Sequence, residues 1–294
     1  MLSEAGLIAV DWGTTNRRVF VLDTDGRVID RFVDGAGVLS ILPGEFPDVI
    51  TMLRDRCGER PMLLAGMIGS DRGWIEVPYV DCPVTIDRLT ARLVQVEGQD
   101  ILIVPGVCDR TPGRADVMRG DEVQLLGALT EGLIGPDMQA CHPGTHTKWA
   151  RLKQGVLRTF KTMMTGEMFA ILSRHSLLAS PLTGEITPND AFKEGVRVAL
   201  ERRELLADIF SIRARTLLGT LAVDDVPSFG SGLLIGNDVA VGLEFVEGGA
   251  IALIGDAPLT RLYACALALA GRQSEQIDGE TAFLAGVRAI ASRL

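Results

Sequence analysis

The stretch Asp11-Trp12-Gly13-Thr14-Thr15-Asn16 directly follows the apolar run 7–10, so a predicted strand ends in a carboxylate and turns on Gly-Thr-Thr. Backbone N–H groups and hydroxyls in such a turn bind phosphate, and a carboxylate beside them can hold Mg²⁺. The stretch therefore favours nucleotide chemistry. Asp-x-Gly-Thr also occurs in ordinary turns, and on these residues alone both interpretations stay open.

The strands around this turn follow a pattern that the chain repeats. In the first copy, predicted strands at 7–11, 17–23 and 27–33 include a hairpin signal at Asp25-Gly26. The second copy has predicted strands at 138–141, 149–153 and 156–161, with turns at Pro143-Gly144-Thr145-His146-Thr147 and Gln154-Gly155. Two unrelated hairpins would also explain this. The repeat favours two related halves whose Gly-Thr turns face each other across a cleft and grip a polyphosphate.

The rest of the chain predicts further apolar strands and a series of helices. An apolar strand covers 62–65, a buried strand covers 100–104, and a last apolar run covers 250–254. A loop rich in Pro, Gly and charge covers 108–119. Apolar spacing predicts helices over 122–131, 165–178, 188–218 with a break near Arg202, 228–245, 259–270 and 279–294. The glycines at 230, 232 and 236 lack the spacing of a dinucleotide fingerprint, and no apolar strand precedes them.

Length and composition limit the class of protein. The 294 residues suit two modest domains, predicted as 1–118 and 119–294. A net charge of −9 argues against nucleic-acid binding, because nucleic-acid modules present a basic face. The N-terminus lacks a basic secretory start and the apolar runs are interrupted, so we expect a cytoplasmic protein without a membrane segment. Five scattered cysteines without a C-x-x-C pair predict free thiols.

Several motifs together carry a family resemblance. In chain order they are Asp11-Trp12-Gly13-Thr14-Thr15, Gly120-Asp121-Glu122-Val123-Gln124, Pro143-Gly144-Thr145-His146-Thr147, and Ile254-Gly255 before a helix. In this order they resemble the superfamily of sugar kinases, Hsp70 and actin. More narrowly, Gly66-Met67-Ile68-Gly69-Ser70, Trp74 and Val117-Met118-Arg119-Gly120 resemble the 2-dehydro-3-deoxygalactonokinases, and the similarity runs nearly from end to end.

The resemblance implies an α/β fold of two ribonuclease-H-like domains, the actin-like ATPase fold, which close on ATP and a sugar acid. It implies transfer of the γ-phosphoryl group to the terminal C6 hydroxyl of 2-dehydro-3-deoxy-D-galactonate, with Mg²⁺ as the metal. Other acceptors, such as 2-keto-3-deoxygluconate or a neutral sugar, are alternatives. A nucleotide-switched binding protein of the actin or Hsp70 type is a second alternative, and a homodimer is compatible with the sequence.

The resemblance and the chemistry of phosphoryl transfer together assign roles at the nucleotide. Asp11 would be catalytic by holding Mg²⁺ through water, and the turn Gly13-Thr14-Thr15-Asn16 would donate to the β- and γ-phosphates. From the second half, Gly144, Thr145 and Thr147 would contact the phosphates. Gly255 would contact adenosine.

Some positions near the nucleotide keep alternatives open. Arg18 would add positive charge at the phosphates or be a solvent-facing strand residue. His146 stands where many sugar kinases have the last glycine of Gly-Thr-Gly, and its role stays open. Lys148 is either a cation of the site or an exposed strand residue. Asp256 stands where the adenosine segment normally has a second glycine.

The general base is assigned to Asp121, which stands at a loop-to-helix junction where related sugar kinases place a catalytic Asp after Gly. Such a base accepts the proton of the attacking hydroxyl. A carboxylate at this place also suits a helix N-terminus, and both roles are compatible. Glu122 is the alternative base.

The sugar acid needs a fixed cation for its carboxylate, ideally an Arg fork. Arg72 is the preferred candidate, and Arg119 is a possible second cation. Backbone and hydroxyl groups that would let the sugar approach are those of Gly66, Met67, Gly69 and Ser70. Trp74 or Tyr79 would wall the pocket, although an aromatic residue beside a strand is more often part of a core.

Overall fold

A computed structural model describes residues 6–294 as an α/β protein. The strands are β1 (Leu7–Trp12), β2 (Arg17–Leu22), β3 (Val28–Asp34), β4 (Met62–Gly66), β5 (Val80–Asp81), β6 (Val94–Gln95), β7 (Ile101–Ile103), β8 (Val107–Asp109), β9 (Asp116–Met118), β10 (Gln139–His142), β11 (Thr147–Lys153), β12 (Val156–Met163), β13 (Ile251–Gly255) and β14 (Ser274–Asp278). The helices are α1 (Phe46–Cys57), α2 (Ile86–Thr90), α3 (Asp121–Thr130), α4 (Thr165–His175), α5 (Asp190–Arg202), α6 (Leu205–Leu217), α7 (Val226–Phe245), α8 (Ala257–Leu269) and α9 (Gly279–Ala291).

The two larger sheets share the same order over five strand positions, and the first sheet has one further edge strand, β6. The first runs β3-β2-β1-β4-β7-β6 and the second runs β12-β11-β10-β13-β14. In both, the central strand pairs antiparallel with the next strand of its hairpin and parallel with a later strand. The shared order confirms the two related halves, and each Gly-Thr turn follows the central strand of its sheet. The short strands β5, β8 and β9 form a separate sheet.

The chain divides into two compact units that are not continuous in sequence. The first unit comprises the chain through Pro136 together with 153–159 and 280–294, and the second comprises 137–152 and 160–279. The predicted boundary after residue 118 lies inside the first unit. Helix α3 stays in that unit because it packs on α9: a Cβ on Gly127 would lie 2.3 Å from the backbone N of Gly286.

The core of the first unit is built around its central strand. Residues Leu7 to Val10 of β1 and the side chain of Trp12 are buried, as expected for a strand covered on both faces. The indole N–H of Trp12 donates to the carbonyl of Ala36 at 2.8 Å, and its ring meets Phe46 edge-to-face. The end of β1 is therefore fixed by packing and by a hydrogen bond.

Helices α5 and α7 of the second unit pack very closely through glycines. A Cβ on Gly232 would lie 2.2 Å from the carbonyl oxygen of Phe192, and one on Gly195 would lie 2.3 Å from that of Phe229. The glycines at 230, 232 and 236 lie inside α7, so they serve helix packing rather than a phosphate-binding loop.

No helix within residues 6–294 combines the length and the apolar character needed to cross a membrane. The cysteines at 57, 82, 108, 141 and 265 are free thiols, as predicted.

Candidate functional site

The turn 13–16 presents its outer face to solvent. The N–H of Gly13 donates to the carbonyl of Asn16 at 2.9 Å, which closes the turn, and residues 14–16 are exposed. The carbonyl oxygens of residues 13, 14 and 15 accept hydrogen bonds from the N–H groups of segment 37–39 at 3.1–3.3 Å. The carbonyls of the turn are thus engaged within the protein, while the residues at positions 14–16 remain exposed.

Asp11 lies directly before this turn, and its side chain is 15% exposed. Arg18 on the neighbouring strand contacts it, with 3.2 Å between Nη1 and Oδ2. The structure thus places Arg18 beside the carboxylate. Among residues 6–294 no group of three or more His, Cys, Asp or Glu side chains could hold a metal ion. A partly accessible carboxylate such as that of Asp11 suits Mg²⁺, which commonly uses one or two carboxylates plus water and substrate phosphates.

The carboxyl ends of β1 and β4 bring three predicted elements of the first unit together. The strands are parallel, and Trp12 lies opposite Gly66. Gly66 has φ +92°, and a Cβ there would lie 2.6 Å from the carbonyl oxygen of Trp12, so only glycine fits this approach. A Cβ on Gly120 would lie 3.2 Å from Cα of Gly66. The turn after Asp11, the loop after β4 and the start of α3 therefore meet at one edge of the sheet.

The two candidate bases at the start of α3 have different surroundings. Asp121 is half-buried and lies in the first turn of the helix, where the helix dipole favours a carboxylate. Glu122 is fully buried, and its Oε1 accepts the N–H of Gly120 at 2.9 Å. Burial raises the pKa of Glu122 to about 8, so its carboxyl group is mostly neutral at pH 7. Of the two, Asp121 has the more accessible carboxyl group.

In the loop after β4, several residues predicted to contact the substrate form hydrogen bonds within the loop or pack against the core. The hydroxyl of Ser70 donates to the carbonyl of Met67 at 2.7 Å and accepts the N–H of Arg72 at 3.2 Å. Met67 and Trp74 pack against the core of the first unit, which agrees with the core interpretation of Trp74. The side chain of Arg72 is exposed.

Arg119 ties this loop to the start of α3. Its Nη2 donates to the carbonyl of Val77 at 2.8 Å, and its guanidinium lies 4.3 Å from the centre of the Tyr79 ring. Its Nη1 lies against Gly69, where a Cβ would come within 2.9 Å. Its Nε and Nη1 are buried and have no hydrogen-bond partner among residues 6–294. Arg119 is thus packed inside the loop, whereas Arg72 is the more accessible cation.

The second Gly-Thr turn lies between β10 and β11 of the second unit. Thr145 and His146 are exposed, and Nε2 of His146 lies 2.5 Å from Oε2 of Glu167. Thr147 is fully buried, and its hydroxyl lies 2.8 Å from that of Tyr263. Lys148 is buried, and its Nζ donates to the carbonyl of His146 at 3.3 Å. The structure therefore leaves the Gly144-Thr145 part of the turn accessible, while the Thr147 hydroxyl faces the interior.

Gly255 lies beside this turn. It ends β13 with φ +151°, and a Cβ there would lie 3.5 Å from the carbonyl oxygen of Pro143. Asp256 follows as the exposed N-cap residue of α8. The structure thus brings the predicted adenosine contact and the predicted phosphate contacts of the second unit together.

Comparisons with known proteins show to which family the chain belongs. A family model described as 2-keto-3-deoxy-galactonokinase matches residues 11–290. The chain is 36% identical over 293 residues to 2-dehydro-3-deoxygalactonokinase of Escherichia coli (strain K12), covering 98% of each chain. The chain belongs to the 2-dehydro-3-deoxygalactonokinase family.

Other relatives carry the same family name. A Rhizobium meliloti (strain 1021) protein provisionally named 2-dehydro-3-deoxygalactonokinase is 34% identical, and the match covers 96% of this chain and 95% of that protein. A crystal structure of a Sinorhizobium meliloti protein with the same provisional name has a TM-score of 0.87 at 32% identity, covering 97% of this chain and 98% of that one.

A more distant structure supports the fold alone. The activator of the 2-hydroxyisocaproyl-CoA dehydratase from Clostridium difficile, solved with bound ADPNP, has a TM-score of 0.52 at 10% identity, covering 98% of this chain and 95% of that one. This structural similarity confirms the predicted actin-like ATPase fold.

Sequence reasoning missed a buried carboxylate in the second unit. Asp238 on α7 is 1% exposed, and its partners come from β11, α4 and α8. One local signal was available: Asp238 is the sole charged residue between 226 and 243. Its partners Thr165 and Tyr263 are far away in sequence, and no spacing pattern connects them.

Proposed function

We propose that this chain is an ATP-dependent kinase that phosphorylates the C6 hydroxyl of 2-dehydro-3-deoxy-D-galactonate to give the 6-phosphate. The observation that supports it most is the meeting of Asp11, the loop after β4 and Asp121 at one sheet edge, in a chain of the 2-dehydro-3-deoxygalactonokinase family. Such a kinase requires phosphate binding, acceptor binding and a proton acceptor in one place.

The residues of the nucleotide site follow from exposure and hydrogen bonding. Asp11 would hold Mg²⁺ through water, and this ion would neutralise charge on the β- and γ-phosphates. The hydroxyls and remaining N–H groups of turn 13–16 bind phosphate, because the carbonyls of that turn are already used. In the second unit, the accessible pair Gly144-Thr145 contacts the phosphates and Gly255 contacts adenosine. Thr147 acts through the position of the turn, since its hydroxyl is buried.

Asp121 serves as the general base. It accepts the proton of the C6 hydroxyl while that oxygen attacks the γ-phosphorus, the bond to the bridging β–γ oxygen breaks, and ADP leaves. Neutral Glu122 holds the backbone at Gly120 and thereby fixes the position of Asp121. Arg18, in contact with Asp11, orients that carboxylate.

The loop after β4 recognises the sugar acid. Arg72 binds the substrate carboxylate, because its guanidinium is exposed and carries the fork geometry that carboxylates prefer. The backbone of Gly66, Met67, Gly69 and Ser70 forms the support beside it. Arg119 keeps this loop against the start of α3.

The proposal also covers where the enzyme acts and how its copies assemble. The enzyme acts in the cytoplasm, where ATP is available, and it binds small molecules rather than nucleic acid, consistent with a net charge of −9. Two copies form a homodimer. Exposed apolar residues of α6, namely Leu206, Phe210 and Leu217, support this pairing. Light scattering at several protein concentrations tests it, and a monomer mass throughout would contradict it.

A coupled ADP-release assay across several acceptors tests the proposed activity. The acceptors are 2-dehydro-3-deoxy-D-galactonate, its epimer 2-keto-3-deoxygluconate and neutral sugars. We expect the highest kcat/KM with the galactonate derivative and little ADP without an acceptor. A higher kcat/KM for another acceptor would reassign the substrate. ATP-dependent filaments without acceptor-dependent ADP production would favour an actin-like binding protein.

A further inference from the structure

Asp238 is a buried carboxylate in contact with several elements of the second unit. Its Oδ1 accepts the indole N–H of Trp149 at 2.6 Å. Its Oδ2 accepts the hydroxyl of Tyr263 at 2.6 Å and also the hydroxyl of Thr165. Among residues 6–294 no cation forms an ion pair with it, so neutral donors alone satisfy this carboxylate.

Burying a carboxylate without a cation costs free energy, so its hydrogen bonds are expected to serve a specific purpose. Burial raises the pKa of Asp238, and the surrounding donors oppose that rise. An apolar side chain of similar size would avoid the desolvation of a carboxylate. The carboxylate of Asp238 therefore holds its hydrogen-bond donors, which belong to β11, α4 and α8, in fixed positions.

The donors lead directly to the turn 143–147. The hydroxyl of Tyr263 lies 2.8 Å from that of Thr147, the last residue of the turn. On the other side, Thr165 begins α4, and the residues after it lie on the turn. The N–H of Glu167 donates to the carbonyl of Thr145 at 3.0 Å.

Close packing strengthens this second connection. A Cβ on Gly166 would lie 2.5 Å from the carbonyl oxygen of Gly144, so the start of α4 lies directly against the turn. Glu167 also contacts His146 through its carboxylate. Asp238 thus holds the turn from two directions, through Tyr263 and through Thr165.

We infer that Asp238 is a positioning residue for nucleotide binding: it fixes the turn 143–147 between β11 and the start of α4. The inference rests on the proposed nucleotide-binding role of this turn. Asp238 is too deeply buried to touch the nucleotide, and it acts through the arrangement of the backbone at Gly144 and Thr145. Displacing that backbone by a fraction of an ångström would weaken phosphate binding.

The test measures nucleotide binding directly. Calorimetry with a non-hydrolysable ATP analogue gives Kd, and the coupled assay gives the KM for ATP and for the sugar acid. We expect Asp238→Asn to raise Kd and the KM for ATP roughly 10- to 100-fold, with the KM for the acid changed less than about twofold. Tyr263→Phe and Thr165→Val each remove one of the two connections between Asp238 and the turn, so we expect smaller rises in Kd and in the KM for ATP.

Asp208→Asn is the matched control. Asp208 lies on α6 of the same unit, is also 1% exposed, and contacts Arg202 at 3.5 Å rather than the turn. It is expected to change stability without changing Kd for the analogue. An unchanged Kd in Asp238→Asn, or an equal rise in Asp208→Asn, would overturn the inference. If Asp238→Asn does not fold, an unchanged Kd in both Tyr263→Phe and Thr165→Val overturns it.

The binding measurement also separates the two proposals. If the wild-type protein binds the analogue but shows no acceptor-dependent ADP release, the proposed kinase activity fails while the Kd comparison still tests Asp238. If the wild-type protein does not bind the analogue, both proposals fail.

Discussion

Two adjacent carboxyl groups, Asp121 and Glu122, begin α3 in different environments. Asp121 remains partly accessible, whereas Glu122 is buried and bonded to the N–H of Gly120. Burial favours the neutral form of Glu122, whereas Asp121 lies in the partly accessible first turn of the helix. One residue is therefore suited to accept a proton and the next to hold the backbone that positions it.

Replacing Asp121 by Asn removes the proton acceptor at nearly constant size. Turnover should fall by about 10²- to 10⁴-fold, the range expected for a lost general base, with ATP affinity nearly unchanged. Steady-state assays and calorimetry with the ATP analogue measure the two quantities. Turnover at the wild-type level would exclude Asp121 from the mechanism.

Glu122→Gln tests the buried neutral carboxyl through the pH dependence of stability. Because the folded pKa of about 8 lies above the ordinary value of 4.5, Glu122 contributes stability below pH 4.5 that is lost as the pH rises through 8. Gln does not titrate, so the variant should gain stability relative to wild type between these values. This gain in the free energy of unfolding rises by at most about 1.4 kcal/mol per pH unit and becomes constant above pH 8.

Chemical denaturation of both proteins from pH 4 to 9 gives this difference. A constant difference in the free energy of unfolding over the whole range would show that Glu122 has an ordinary pKa. Since Gln keeps an acceptor for the N–H of Gly120, we expect turnover near the wild-type value at pH 7.

Arg72→Ala removes the exposed cation of the loop after β4. The KM for the sugar acid should rise roughly 10- to 100-fold, because a hydrogen bond to a charged group is lost, and ATP affinity should stay the same. Arg72→Lys keeps the positive charge but loses the fork geometry, so its KM for the sugar acid should lie between those of the wild type and Arg72→Ala. An unchanged KM would exclude Arg72 as the residue that binds the substrate carboxylate.

The turn 13–16 depends on the segment that follows β3. A Cβ on Gly37 would lie 2.3 Å from the carbonyl carbon of Thr15, whereas a Cβ on Gly35 would meet nothing within 4 Å. Gly37→Ala must therefore displace the turn, and we expect the KM for ATP to rise at least about tenfold, since small displacements of binding groups are costly. Gly35→Ala is the matched control and should leave it unchanged. Equal effects of both substitutions would contradict a role of this segment in holding the turn.

Elements with strong local signals were predicted closely. Breaks and apolar spacing predicted helices over 165–178 and 188–218, and the structure has Thr165–His175 and then a pair, Asp190–Arg202 and Leu205–Leu217. The break near Arg202 is confirmed. These successes reflect local physics, because a helix period and a capping residue lie within one segment.

Features that depend on contacts between distant segments could not be read in the same way. The sequence predicted α9 but not its membership of the first unit, which follows from close contact between Gly286 and Val123. In the same way, the buried position of Thr147 depends on Tyr263. The residue types of the site were visible in sequence, whereas the direction of each side chain was decided by packing.

The two units carry the same strand order, and each places a Gly-Thr turn after its central strand. Family membership and this repeated arrangement agree with the proposed kinase, in which the Gly-Thr turn of each unit would bind phosphate. In the proposed function the acceptor is recognised by the loop after β4, whereas the corresponding segment of the second unit, after β13, begins at the proposed adenosine contact Gly255. Substrate identity is therefore the part of the proposed function that most needs a direct chemical test.

Product analysis by ³¹P and ¹³C nuclear magnetic resonance tests the kinase activity most directly. The purified protein is incubated with ATP, Mg²⁺ and 2-dehydro-3-deoxy-D-galactonate. We predict one phosphomonoester signal coupled to C6 of the acid, formed in equal amount to ADP. Free phosphate in place of the ester, a phosphate on another hydroxyl, or no acceptor-dependent ADP would contradict the proposed function.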